Sequence, residues 1–208
     1  MKLTLTYRLN EIVPEIEKEP AWSSQIKRWT QLDASSYIVA EATFRHLDFI
    51  KAKEIDQLIL LSSQGSFETD CLFAHSSKFS PAHFVHTLPN VRSLAFSQIS
   101  NWEGVMFCLS QGIHSLLNFF YEALLAHYLQ NTLILNLNKK EENYQCDFYH
   151  LCPFLNEKQC YLEINTHVQK EEEKRSFFVD DFQFRDFLHV KSQLPLSPAL
   201  TLRNIIGK

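Results

Sequence analysis

Glycine is scarce in this chain, with four residues in 208. That leaves little material for a phosphate-cradling loop, and no G-x-G-x-x-G, Walker A or EF-hand pattern occurs. A nucleotide-dependent enzyme is therefore not expected, and no cofactor is implied. Proline is also sparse, at seven residues, so collagen-like and Gly/Pro-rich linker architectures are excluded. No two cysteines form a C-x-x-C pair; the five stand apart at Cys71, Cys108, Cys146, Cys152 and Cys160. An odd count without such pairs argues against a disulfide framework and against a zinc ribbon. Reduced thiols in a cytoplasm are the simpler expectation. No apolar run reaches the roughly 18 residues that a membrane span needs, and residues 1–20 lack the unbroken apolar core of a secretory signal. An excess of positive charge is missing too. The net charge is −4 and the isoelectric point near 6.1, so neither nucleic acid nor an anionic membrane is the expected main partner.

Apolar payload is present in quantity. Hydrophobic residues make up 45% and charged residues 21%, a globular balance that excludes wholesale disorder. Phenylalanine alone accounts for 17 residues, enough large aromatic surface to build a substantial core. The length fits one domain spanning 1–208.

Residues 3–9 alternate, with Leu3, Leu5, Tyr7 and Leu9 opposite Thr4, Thr6 and Arg8, which predicts a half-buried strand. Residues 11–32 read as a loop with short helical turns, tacked to the body by Trp22 and Trp29. Asp33 is a suitable N-cap for a helix over 34–51 with a stripe of Tyr37, Ala40, Phe44 and Leu47. The run from Ile55 to Leu61 predicts a strand buried on both faces, as in a parallel sheet. Residues 66–78 suit a short helix with Phe67, Cys71 and Phe73–Ala74 inward. Ser80–Pro81 starts another helix, which ends near Leu88 ahead of Pro89. Val105–Leu109 predicts a further buried strand. The segment Gly112–Leu129 is apolar most of the way round, the pattern of a helix buried on most sides. A strand at Thr132–Leu137 follows. Residues 146–168 read as an antiparallel hairpin turning at Asn156–Lys158, and 169–175 as a solvated charge run. A short helix is expected over 179–189, and the tail 192–208 shows no clear period. The order of elements predicts an α/β layered sheet.

Five side chains attract attention as chemistry. His83 and His86 are spaced to share a helix face, and imidazole is a common metal ligand. With neither an H-E-x-x-H context nor a cysteine pair nearby, structural roles are expected and no metal. Cys108 precedes the long helix. A thiolate near a helix N-terminus is a nucleophile, whereas a buried thiol acts as a small hydrophobe. Ser110–Gln111–Gly112 is half of a nucleophile elbow, with Cys108 where the first glycine of G-x-S-x-G would stand and His114 as the nearest base. Cys108, Ser110 and His114 are thus the candidate site residues.

The stretch Ser80–Leu137 resembles the N-terminal half of a β-ketoacyl synthase. It is most similar to a short, divergent N-terminal-domain subgroup found near carrier proteins and polyene-type lipid clusters. The pattern S-P-x-x-F-x-x-x-x-x-N is carried by Ser80, Pro81, Phe84 and Asn90. The upstream IDQLILLSSQGSFETD is similar to the family's strand and S-x-x-G turn, and the likeness covers roughly residues 33–138. The resemblance implies a thiolase-like half, a layered, mostly parallel sheet with flanking helices and an added antiparallel hairpin. Where the family has an A-C-x-S-G nucleophile turn, this chain has Cys108-Leu109-Ser110-Gln111-Gly112. Aligned on Gly112 the nucleophile position falls on Leu109, and a shift by one brings Cys108 or Ser110 there. The family's two catalytic histidines belong to a C-terminal half that this length does not hold.

The implied role is a non-catalytic ketosynthase-like partner or scaffold in fatty-acid or polyketide-type acyl chain synthesis. The implied partners are a complete ketosynthase, an acyl carrier protein, or a second copy associating through the Ile113–Leu129 helix. The alternatives are a binding module for a hydrophobic acyl ligand, and an acyltransferase or thioesterase using Cys108 or Ser110.

Overall fold

The computed structural model describes residues 2–8, 10–15, 17–62, 66–76, 81–110, 115–116, 119, 130–140, 143–152, 161–165, 194–196 and 200–205. The chain runs β1 (Lys2–Arg8), β2 (Glu11–Ile12), two 3-10 turns (Ser23–Gln25 and Trp29–Gln31), α1 (Ala34–Arg45), α2 (Leu47–Lys51), β3 (Gln57–Ser62), α3 (Phe67–His75), α4 (Pro81–Val85), α5 (Val91–Ser100) and β4 (Val105–Ser110). It continues through β5 (Thr132–Lys140), β6 (Asn143–Cys152), β7 (Tyr161–Asn165), β8 (Leu194–Leu196) and β9 (Leu200–Ile205). Among the described residues no helix is long and apolar enough to cross a membrane.

The strands form one mixed sheet in the order β4-β3-β5-β6-β1-β7-β9-β8, with β2 added against β6. β3 lies between β4 and β5 and is parallel to both, in the registers Leu60↔Cys108 and Leu60↔Leu135. The fold is thus α/β with helices flanking a mixed sheet, a parallel trio followed by an antiparallel hairpin of β5 and β6 that closes from Thr132↔Leu151 to Lys140↔Asn143. The antiparallel part is larger than one hairpin, because the N-terminal strand inserts into it. β1 pairs β6 on one side (Thr6↔His150) and β7 on the other (Leu3↔Leu162), so the two strands expected to form a hairpin over 146–168 are not neighbours. The tail without period also enters the sheet, with β9 against β7 and β8 against β9.

One face of the sheet carries α1, α2 and α5. Tyr37, Ile38, Val39, Ala40 and Ala42 from α1 and Ala95, Phe96 and Ile99 from α5 pack with Leu58, Leu60, Leu133, Leu135 and Phe148. Each Val, Leu, Ile or Phe among them contributes about 1.5–3 kcal/mol when fully buried. Asp33 caps α1 as expected, its carboxylate accepting the Ser36 N–H at 2.8 Å. The predicted helix over 34–51 is broken at His46, whose backbone leaves the helical region. Its ring bonds to Asn10 Oδ1 at 2.5 Å and stands edge-on to Phe148, contacts that a continuous helix would not present. Trp22 does anchor the N-terminal loop. It is fully buried, donates from Nε1 to Glu41 Oε2 at 2.8 Å and meets Tyr37 edge-on.

The second face is covered as well. Ile59, Leu61, Ile134 and Tyr149 on it are buried, and the described helical residues Leu116 and Phe119 lie against it, Phe119 with its ring 4.7 Å from Phe107. The remainder of the expected 113–129 helix lies outside the described residues, as does the helix expected over 179–189.

Three sequence expectations are corrected. α5 falls where no element is expected from the sequence, because Arg92, Ser93, Ser97 and Gln98 interrupt the apolar stripe of Ala95, Phe96 and Ile99. Asn101 ends it in the left-handed conformation (φ 54°). The inward face assigned to α3 is wrong for Phe67, which is 68% exposed, and Ala74 is exposed too. β4 was expected to be buried, yet Met106–Leu109 are only half-buried and Val105 and Ser110 are exposed. The reason is position: among the described residues β4 is the last strand at its side of the sheet.

Candidate functional site

α5, which follows β3 in the chain, packs on one face of the sheet, and Leu116 and Phe119, which follow β4, lie on the other. Where two adjacent parallel strands send their connections to opposite faces, a crevice forms beyond their carboxyl ends, the usual location of ligand sites in open α/β sheets. Here that end is marked by Ser62 and Ser110, register partners on β3 and β4. Ser62 is buried and Ser110 exposed.

Two of the three candidate residues lie on β4. Cys108 and Ser110 are two positions apart and so point to the same side of the strand, separated along it by roughly 6–7 Å. Met106 and Cys108 pack toward the α1–α5 layer. Burial pushes the Cys108 thiol up, and a hydrogen bond with Ser93 and the charge of Arg92 pull it only part of the way back. A thiol held protonated is a poor nucleophile. Among the described residues, no imidazole or carboxylate is hydrogen-bonded to Cys108 or Ser110. His114 lies outside the described residues, as do Gln111 and Gly112, so the register question around Leu109 falls there too.

Behind Cys108 lies a polar cluster that sequence reasoning did not assemble. Asp33, besides capping α1, has Oδ2 3.9 Å from Arg92 Nε and Oδ1 3.7 Å from His86 Nδ1. Arg92 is buried (3% exposed) and extends from α5 to Thr69 Oγ1 on α3 at 3.4 Å. Ser93 donates to the Met106 sulfur. No signal in the sequence marks this cluster, because Arg92 becomes notable only once α5 is known and places it in a first turn, where the helix dipole disfavours a cation. His86, read from sequence as structural, has its Nε2 2.8 Å from the Gln31 carbonyl. The side chain of His83 lies outside the described residues, and among the described residues no group of three His, Cys, Asp or Glu is arranged to hold a metal.

The most perturbed imidazoles are elsewhere and act as anchors. Burial, with Lys53 adding to it, lowers His150 to about 4. Its ring bridges Thr6 Oγ1 (3.1 Å) and Asn131 Oδ1 (2.6 Å), tying β1 to the turn before β5. His46 is lowered by burial and by Arg8 and Arg45.

No family model matches the chain, and no curated protein matches it. Among solved structures, a chain of the complex between the ketosynthase ApeO and its chain length factor ApeC from Xenorhabdus doucetiae superposes with a TM-score of 0.52 at 13% identity. The superposition covers 80% of this chain and 84% of that one. AbyA1, a tetronic acid condensing enzyme, matches over 91% of this chain and 70% of that one at 8% identity with a TM-score of 0.39, too low to support an argument. The chain therefore has a distant structural similarity, at the level of fold, to ketosynthase-type proteins.

Proposed function

We propose that this protein is a non-catalytic, ketosynthase-like subunit. It acts beside a complete ketosynthase, or with an acyl carrier protein, in fatty-acid or polyketide-type acyl chain synthesis. The fold similarity to a chain from a ketosynthase–chain length factor complex supports the class. The observation that carries the partner role is β4. Among the described residues it ends the sheet, contains no charge and no proline, and is half-exposed where its neighbour β3 is buried throughout. An apolar, uncharged edge strand is a template for another chain, and monomeric proteins usually blunt such edges. The other end of the sheet is β8, which carries Pro195. The protonated Cys108 thiol supports the absence of condensing chemistry at that residue. Cys71, Cys108, Cys146 and Cys152 are all unpaired, which supports a reducing, cytoplasmic setting.

The test is co-purification from native extract with identification of what is bound, repeated with Val105→Lys. Val105 is 55% exposed, so a lysine there blocks the edge without disturbing the core. A ketosynthase bound to the parent chain and lost from Val105→Lys is the expected result. Recovery of neither a ketosynthase nor a carrier protein removes the proposal.

A further inference from the structure

Arg8 closes β1, Phe49 lies on α2, and Lys53 follows that helix. The guanidinium carbon of Arg8 stands over the Phe49 ring, 4.8 Å from its centre, and the Lys53 ammonium stands 5.4 Å from the same centre. A ring face attracts a cation, but two cations gathered at one ring repel each other. Arg45, exposed at the end of α1, adds a third positive charge, which Glu41 balances at 2.7 Å. Lys53 has no such balance. Among the described residues no carboxylate lies within ion-pair distance of it.

The two imidazoles beside this patch feel the same excess. His46 is pushed toward its neutral form by burial and then by Arg8 and Arg45, and His150 by burial and then by Lys53. Among the described residues no carboxylate acts on either ring in the opposite sense. The whole chain carries a net charge of −4, so the positive excess is local.

A cation resting on an aromatic face keeps its N–H donors for another partner. The guanidinium fork can meet two oxygens of a phosphoryl group at once, and an ammonium supplies a compact charge. Contact with Phe49 holds both heads in place, so less freedom is lost when an anion arrives. A carboxylate offers a single charge against these cations, whereas a phosphate monoester carries about two at neutral pH.

We infer that Arg8 and Lys53, set on Phe49, form a binding point for the phosphoryl group of a phosphate monoester. The group can belong to a soluble ester or to a lipid headgroup, and both present the same oxygens. The inference stands on these residues and does not depend on the partner role proposed above.

The experiment is a titration of the full chain at neutral pH and constant ionic strength, with the ring signals of His46 and His150 as the NMR readout. Inorganic phosphate and glycerol 3-phosphate are the soluble probes. Phosphatidylcholine vesicles with and without phosphatidic acid form a parallel arm, read by co-sedimentation. A saturable shift with the soluble probes is expected in the parent chain. Arg8→Gln should weaken it about tenfold, the loss of one charge-assisted contact. Arg8→Lys keeps the charge without the fork and should fall between, and Lys53→Gln should also weaken binding. Lys27→Gln, at an exposed lysine elsewhere, should leave it unchanged. Binding to the phosphatidic acid vesicles that Arg8→Gln removes assigns the group to a lipid; binding of the soluble probes alone assigns it to a soluble ester. No binding in either arm, or equal affinities in the parent chain and Arg8→Gln, overturns the inference.

Discussion

β3 and β4 are neighbours of equal length, both apolar, both ending in Leu-Ser, and they pair residue for residue from Gln57↔Val105 to Ser62↔Ser110. Every residue of β3 is buried and no residue of β4 is. The difference is not in the side chains. Among the described residues β3 has a strand on each side and β4 has one. Burial of a strand is set by its rank in the sheet, and a local run of apolar residues does not report that rank. An apolar strand left at the edge is therefore informative in a way that an apolar strand at the centre is not. The central strand needs no explanation beyond the core it helps to build, whereas the edge strand asks what it meets in the cell.

Substitution at a register pair tests the contrast most strongly. Leu60→Ala should cost about 2–5 kcal/mol in urea unfolding, the usual range for a large side chain deleted from a close-packed core. Its partner across the ladder is Cys108, half-buried. Cys108→Ala should cost about 1 kcal/mol or less, since a small, half-exposed group is removed. Equal losses at the two positions would mean that β4 is covered in solution, and the comparison would break.

Acid gives the next largest effect, and it acts on the covered side of the sheet. His150 is held near 4 by burial and by Lys53, below the 6.5 of an ordinary imidazole. The unfolded chain therefore takes up the proton first. Stability is full above pH 6.5 and declines as the pH falls toward 4, by an amount on the order of 2 kcal/mol. His150→Gln should flatten the slope of unfolding free energy against pH in that window. An unchanged slope would remove His150 as its source.

Smaller effects belong to β4 itself. Alkylation of Cys108 at neutral pH should run slower than that of a free thiol, because burial disfavours its thiolate. Ser93→Ala should slow it further by removing the bond that favours the thiolate. Faster labelling than the free thiol would restore Cys108 as a nucleophile. Val105→Thr, at an exposed position on the edge, should change stability by no more than about 0.5 kcal/mol. A large loss on thermal unfolding would show that the edge is occupied.

The α/β class, the Asp33 cap, the buried β3 and the anchoring of Trp22 were legible because each depends on neighbours close in sequence or on period. The β1 insertion was not, since the pairing of Thr6 with His150 joins residues 144 positions apart and leaves no local mark. α5 was hidden for a related reason. Its buried Arg92 and Ser93 read as solvent-facing, and only Asp33 and Met106, brought in by tertiary contacts, make them inward. At the candidate site, sequence found Cys108 and Ser110 but not the surroundings that hold the thiol protonated. Those come from α5, the element that was missed.

Placing the first strand in the middle of the sheet has a price in time. β1 leaves the ribosome before the strands that flank it, since β6 and β7 are made some 140 residues or more later. Pairings so distant are slow to form. Until they do, the growing polypeptide carries an unsatisfied strand at one end and an apolar β3 at the other, both open to wrong neighbours. Synthesis in the presence of a holdase chaperone should therefore raise the soluble yield of this chain. A circularly permuted version in which β1 follows β6 should need that help less.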